Sequence, residues 1–265
     1  MEKKFEKFDL SKRFISMIKV DFRRMFTMPL YYLMVGISLV IPILILVMTT
    51  MFGGETEGMT SFSNVWKIIG SVSESMIKNS PSMSGEIDML AMCNIDMMVF
   101  AVGVLVCLFI NQDFKSGYIK NLFTVRSSKV DYVLSKTLVG FVGGSSMILT
   151  FFIGSMVGGK IANLSFDLPL GVNAINIVMC LICKLGVVLI FVPIFVIMGV
   201  VGKEKLWLSM IGSFGVSMLL FMMVSMIAPL NANFVNVVLV LVGGVLFSVG
   251  LGSLSNLLLN KLNIL

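Results

Sequence analysis

Six apolar stretches, each long enough to cross a lipid bilayer, restrict what this chain can fold into. A hydrocarbon layer ~30 Å thick takes about 20 residues of helix, each rising ~1.5 Å. The stretches cover residues 30–52, 89–110, 137–159, 174–201, 206–227 and 235–259. Hydrophobic residues make up 57% of the chain and charged ones 13%, with a mean hydropathy of +1.02. That is too apolar for one soluble core to hide. The expected fold is therefore an all-α polytopic membrane protein with six transmembrane helices in residues 30–265.

The basic residues then set the expected orientation, because segments rich in Lys and Arg stay on the cytoplasmic side during insertion. Sixteen of the twenty lysines and arginines fall in alternate connections. Eight precede the first span: Lys3, Lys4, Lys7, Lys12, Arg13, Lys19, Arg23 and Arg24. Lys115, Lys120, Arg126, Lys129 and Lys136 lie between spans two and three, and Lys203, Lys205 and Lys261 complete the set. Lys67, Lys78 and Lys160 fall on the other side, and Lys184 lies within span four. Both termini are expected in the cytoplasm.

The first 29 residues read as an amphipathic helix lying in the headgroup layer, with no cleavable signal peptide expected. Leu10, Phe14, Met17, Ile18, Phe22 and Met25 share one face, and Lys12, Lys19 and Arg23 lie opposite. Asp21 falls inside the apolar arc, where snorkelling or a cap is the expected explanation and a partner contact the alternative. Residues 53–88 form the expected extracellular loop, in which Val65, Ile68, Ile69, Val72 and Met76 keep a helical period beside Trp66. Pro42 predicts a kink in the first span. Thr150, Gly154 and Gly158 recur at four-residue spacing, as do Ser209, Ser213 and Ser217, and Gly244, Ser248 and Gly252. Such spacing lets helices approach closely in lipid.

Several chemistries are excluded. The chain has no histidine, which removes Ser-His-Asp, Cys-His and His-ligated zinc sites. Residues 154–160 match the first seven positions of a phosphate-binding G-x-x-x-x-G-K loop, but Ile161 follows where Ser or Thr is required. Cys180 and Cys183 form a C-x-x-C amid Ile, Leu and Val in the fourth stretch, and Cys93 and Cys107 both fall in the second. They read as small buried hydrophobes. No catalytic residue, metal site or resident cofactor is expected, and no role for nucleic acid.

The most specific segment is 111–136. Phe114, Tyr118 and Leu122 share a face with Ile119 and Phe123, while Lys115 and Lys120 point elsewhere. Ser128 and Asp131 have the spacing of a capping box for the next helix. This predicts a short amphipathic helix, a turn and a new helix start, which is a natural docking surface. Here the chain resembles the permease subunits of type 2 ABC transporters, bacterial ATP-driven exporters. Asp113, Gly117, Ile119, Lys120, Asn121, Ser128, Lys129 and Lys136 fit the pattern of that family's cytoplasmic coupling loop. Tyr118 and residues 125–127 depart from it. The resemblance implies that Asp113, Phe114, Gly117, Tyr118, Ile119, Lys120, Asn121, Leu122 and Phe123 dock onto a separate ATPase subunit. Two such ATPases, carrying the ATP and Mg, would drive a homo- or heterodimer of permeases in the bacterial plasma membrane.

Twenty-three Met and 21 Phe residues supply pliable apolar surface for a hydrophobic or amphipathic substrate, a peptide first and a small drug second. Asp96 and Lys184 are the two charges expected within spans. Each needs a partner or an aqueous cavity, because an isolated charge at such depth costs several kcal/mol. They are expected either to pair or to line a substrate path. The competing reading is an ion- or proton-coupled carrier that uses Asp96 and Lys184 and needs no ATPase.

Overall fold

A computed structural model describes residues 10–52, 64–70, 93–124, 129–169 and 171–261. Lys3, Lys4, Lys7, Val72, Met76, Lys78, Arg126 and the capping Ser128 lie outside the described residues, as does most of the 53–88 loop. The described chain is helical, with an isolated parallel bridge between Asn64 and Ser165. Eight α-helices follow in order: α1 (Leu10–Thr27), α2 (Pro29–Phe52), α3 (Met98–Lys115), α4 (Tyr118–Thr124), α5 (Lys129–Ile161), α6 (Ala174–Gly202), α7 (Leu206–Ile227) and α8 (Phe234–Lys261). Among the described residues, α2, α3 with its preceding turn, α5, α6 and α8 are long and apolar enough to cross a membrane. The chain is thus a multi-pass membrane protein. Helix α7 is apolar over Leu206–Phe221.

Of these five helices, α3 and α6 are the most buried, and α2 and α8 the least. Tyr32, Leu33, Leu44 and Met51 on α2 are exposed, as are Val235, Leu239, Leu246 and Val249 on α8. An apolar surface this continuous suits contact with lipid.

Close packing follows the small residues. A Cβ on Gly154 would lie 2.3 Å from the Leu39 carbonyl oxygen, and one on Gly158 would lie 2.8 Å from the Ile43 Cα. The glycines of the apparent phosphate loop thus seat α2 against α5. Gly154→Ala must push α2 away, an overpacking cost of about 1–3 kcal/mol. Gly36, also on α2, has open space around it. Melting in detergent should show Gly154→Ala clearly destabilised and Gly36→Ala unchanged within ~0.5 kcal/mol; equal losses would mean that α2 does not seat here.

Two span boundaries differ from the sequence reading. The second span was expected at 89–110, but Cys93 and Asn94 are bends and a 3-10 turn at Ile95–Met97 leads into α3. The Asn94 side chain accepts the Asp96 N–H at 3.0 Å, so the helix starts there. At its other end α3 runs on to Lys115, because its polar residues find partners inside the protein. Asn111 Nδ2, for example, donates to the Lys203 carbonyl at 2.8 Å. The third span, expected at 137–159, belongs to a helix of 33 residues that begins at Lys129. At ~1.5 Å per residue α5 is about 50 Å long, more than the thickness of a ~30 Å layer.

The described part of the 53–88 loop is a 3-10 helix, Val65–Ile68, capped by Asn64. Val65, Ile68 and Ile69 are fully buried. Trp66 Nε1 donates to the Phe166 carbonyl at 3.0 Å, and Asn64 Nδ2 to that of Asp167 at 2.6 Å. This piece is packed over the helix ends.

Candidate functional site

The N-terminal helix does not simply rest on a membrane surface. Its row Met17–Asp21–Met25 is buried, and Met25 packs close to Gly143 of α5. Asp21 neither snorkels nor caps a helix end, and it does not wait for another protein. It is 0% exposed and meets Lys136 Nζ at 2.7 Å, while its second oxygen accepts from Ser135 Oγ at 2.6 Å. Lys136 sits less than two turns past Tyr132 on α5, which carries it to the level of the α3 C-terminus.

A second acid completes the cluster. Asp113, also 0% exposed, lies 2.7 Å from Lys136 Nζ and accepts from the Tyr132 hydroxyl at 3.1 Å. Arg24 Nη2 stands 2.7 Å from Asp113 Oδ1, and Arg24 Nη1 lies 3.9 Å from Asp21. The Arg24–Asp113 contact is close but off the hydrogen-bond axis, leaving that oxygen and Nη1 without an aligned partner among the described residues. Two carboxylates thus face two cations, and the group is neutral. Aromatic faces close it in: the Phe109 ring centroid lies 4.0 Å from Lys136 Nζ, and the Tyr118 ring lies 4.1 Å from the Arg24 guanidinium carbon. Both distances suit cation–π attraction, which is stronger when desolvated. Burial, reinforced by the Asp21 charge, pushes the Tyr118 phenol above its ordinary value of 10.0. Tyr118 therefore remains a neutral lid on the cluster at physiological pH.

The 111–136 segment is built on this cluster. Helix α3 ends at Lys115, and Gly117 turns the chain with a φ of +68°, a conformation glycine adopts without a Cβ penalty. Seven residues of α4 follow. Of the expected docking residues, Asp113 and Ile119 are buried. Phe114, Gly117, Tyr118, Leu122 and Phe123 are half-buried, and Lys120 and Asn121 are exposed. Gln112, Lys115, Ser116 and Thr124 are exposed beside them. Phe123 sits edge-on to Tyr132 at 5.9 Å, so the apolar face of α4 covers the cluster. Lys129 Nζ donates to the Leu259 carbonyl of α8 at 3.0 Å, tying in the last helix through its free C-terminal acceptors.

The sequence reading missed Arg24, Tyr132 and Ser135. The usable signal was complementary: one acid inside the apolar arc of α1 and one lysine at the edge of the third span, each in need of the opposite charge.

Asp96 and Lys184 form an ion pair, with both residues 2% exposed. Asp96 lies in the turn that opens α3, not deep within the span, so Asp96 and Asp113 mark opposite ends of one helix. Seventeen residues separate them, roughly 25 Å along the axis. Cys107, Cys180 and Cys183 are buried free thiols, and Cys180 Sγ points to the Ala228 carbonyl at 3.7 Å. Among the described residues no group of His, Cys, Asp or Glu could hold a metal ion. A groove of about 430 Å3 opens between α3 and α7, lined by Phe100, Gly103, Met210, Phe214 and Ser217 among others.

Comparison with models of protein families, with curated proteins and with solved structures finds no match.

Proposed function

We propose that this chain is the membrane-spanning permease subunit of an ATP-driven exporter, similar to type 2 ABC permeases. In this reading α7 also crosses the membrane, as the fifth of six spans, α1 lies along the cytoplasmic face, and both termini are cytoplasmic. ATP and Mg belong to two copies of a partner ATPase, and a second permease subunit completes the pathway in a bacterial plasma membrane. The substrate class is hydrophobic or amphipathic, a peptide first; the apolar groove between α3 and α7 supports that choice.

The observation that carries the reading is the corner built by α3, α4 and α5. Its outward side offers Lys115, Ser116, Lys120, Asn121 and Thr124. Its inward side is fixed to α1, α3 and α5 through Lys136, Asp21 and Asp113. A push on α4 is therefore delivered to three helices at once, because packed interiors move as bodies and do not deform continuously. A short exposed helix on such a footing suits transmission of force from a partner that burns fuel.

The test is purification of the full chain with its membrane partners. An ATPase should accompany it and hydrolyse ATP faster when bound, and a panel of amphipathic peptides should raise that rate further. Uphill transport by the isolated subunit in vesicles, driven by an ion gradient, would instead favour the secondary carrier that uses Asp96 and Lys184. A loop 111–136 reachable only from outside the cell would overturn both orientation and docking.

A further inference from the structure

Among the described residues, the end of the bundle remote from α4 carries chain that is not α-helical. Cys93 and Asn94 bend into the Ile95–Met97 turn ahead of α3, and residues 228–233 link α7 to α8. Ala228, Leu230 and Ala232 are fully buried, as are Val65, Ile68 and Ile69 of the neighbouring 3-10 helix. These pieces lie against one another: a Cβ on Gly70 would come within 3.2 Å of the Leu230 backbone nitrogen. They form a plug made of short turns.

Such turns hold few of the repeating hydrogen bonds that stabilise a helix, and they belong to the part of a fold that opens most readily. Besides apolar burial, two polar contacts fasten the plug to the central helix α6. Cys180 donates weakly to the Ala228 carbonyl, and Lys184, one turn further on, binds Asp96. The neighbours of Lys184 on α6 are Cys180, Cys183, Val187 and Val188, all buried. On the other side of the pair, Asp96 Oδ2 is buried with no hydrogen-bond partner among the described residues. Among the described residues neither charge has a second side chain in hydrogen-bonding or ion-pair contact. Separating them leaves an ammonium and a carboxylate among buried apolar neighbours, a cost that entry of water would relieve.

We infer that the Asp96–Lys184 pair is the lock of a gate at this end of the bundle. While the pair is intact, the turns 93–97 and 228–232 stay seated on α6 and water is kept out. When the charges part, the plug lifts and water reaches the Cys180–Lys184 turn. The inference extends the transport reading by naming the closure opposite the docking corner, yet its test uses neither an ATPase nor a transported substrate. The two can therefore fail separately.

The native thiols report on the gate. Cys180 and Cys183 sit at the lock, and Cys107, equally buried, lies about three turns along α3 from Asp96. The full chain in lipid nanodiscs, with both faces open to solvent, is treated with a charged maleimide, and labelling at each cysteine is followed by peptide mass spectrometry. In the wild type all three thiols should label slowly. Asp96→Asn and Lys184→Met should accelerate labelling at Cys180 or Cys183 at least tenfold while leaving Cys107 unchanged. Labelling at the wild-type rate in both variants would overturn the proposal. Acceleration of Cys107 in step with the other two would overturn it as well, since the pair would then hold the whole bundle and not a gate. Should Lys184→Met not be recovered folded, the nearly isosteric Asp96→Asn carries the same reading alone.

Discussion

Lys136→Met is expected to destabilise the protein by about 3–5 kcal/mol, the usual loss when one partner leaves a buried charge group. Lys136 is the fully buried cation of the cluster and lies 2.7 Å from each acid, whereas Arg24 approaches Asp21 only to 3.9 Å. Without it Asp21 and Asp113 remain fully buried, and Arg24 is left to neutralise two carboxylates from a position 26% exposed. The cost should be visible as a large drop in melting temperature of the purified chain in detergent. A second substitution separates charge from packing. Asp21→Asn in the Lys136→Met background removes the surplus negative charge and leaves the Asp113–Arg24 pair neutral. The double variant should recover a substantial part of the loss, so the two effects will not add. Strict additivity would mean that Asp21 and Lys136 do not share one electrostatic unit.

The second large effect is on coupling and not on stability. Reversing the exposed pair Lys115→Glu and Lys120→Glu should leave melting within ~0.5 kcal/mol of the wild type, as is usual for surface positions. If the chain works as proposed, stimulation of its ATPase should nevertheless fall at least tenfold, about 1.4 kcal/mol of lost interaction. Asp113→Asn should behave differently. It weakens the neutral cluster beneath α4, so melting and stimulation decline together. A Lys115→Glu/Lys120→Glu variant that still stimulates its ATPase fully would show that the partner does not dock on this corner.

The contrast between these variants reflects how the 111–136 segment has to be divided. As a sequence it reads as one amphipathic unit, and Asp113 looks like its first polar contact. In the fold, Asp113 and Ile119 face inward and support the loop, whereas Lys115, Lys120 and Asn121 face outward. A helical period tells which residues share a face. It does not tell which face meets the rest of the protein when both candidate neighbours, lipid and another helix, are apolar. The same ambiguity explains α1: its apolar arc suits a headgroup layer and a helix surface equally well, and only Asp21 pointed to the latter.

The apolar runs themselves fixed much. Helix α2 at Pro29–Phe52, α6 at Ala174–Gly202 and α7 at Leu206–Ile227 lie within a residue of the expected stretches, because a helix in lipid is specified by local hydropathy and by its own backbone hydrogen bonds. The spacing of Gly154 and Gly158 likewise foretold a close contact, since small residues act wherever a partner helix happens to lie. Three matters were settled only in three dimensions. The start of α3 depends on the Asn94 cap and on what covers it. The neutral cluster joins Asp21 to Lys136 across 115 residues of sequence, and the Asp96–Lys184 pair spans 88. Whether a charge on an apolar face is a liability or a fastening depends on what stands within about 3 Å of it. That distance is decided by how the helices pack and by nothing written along the chain.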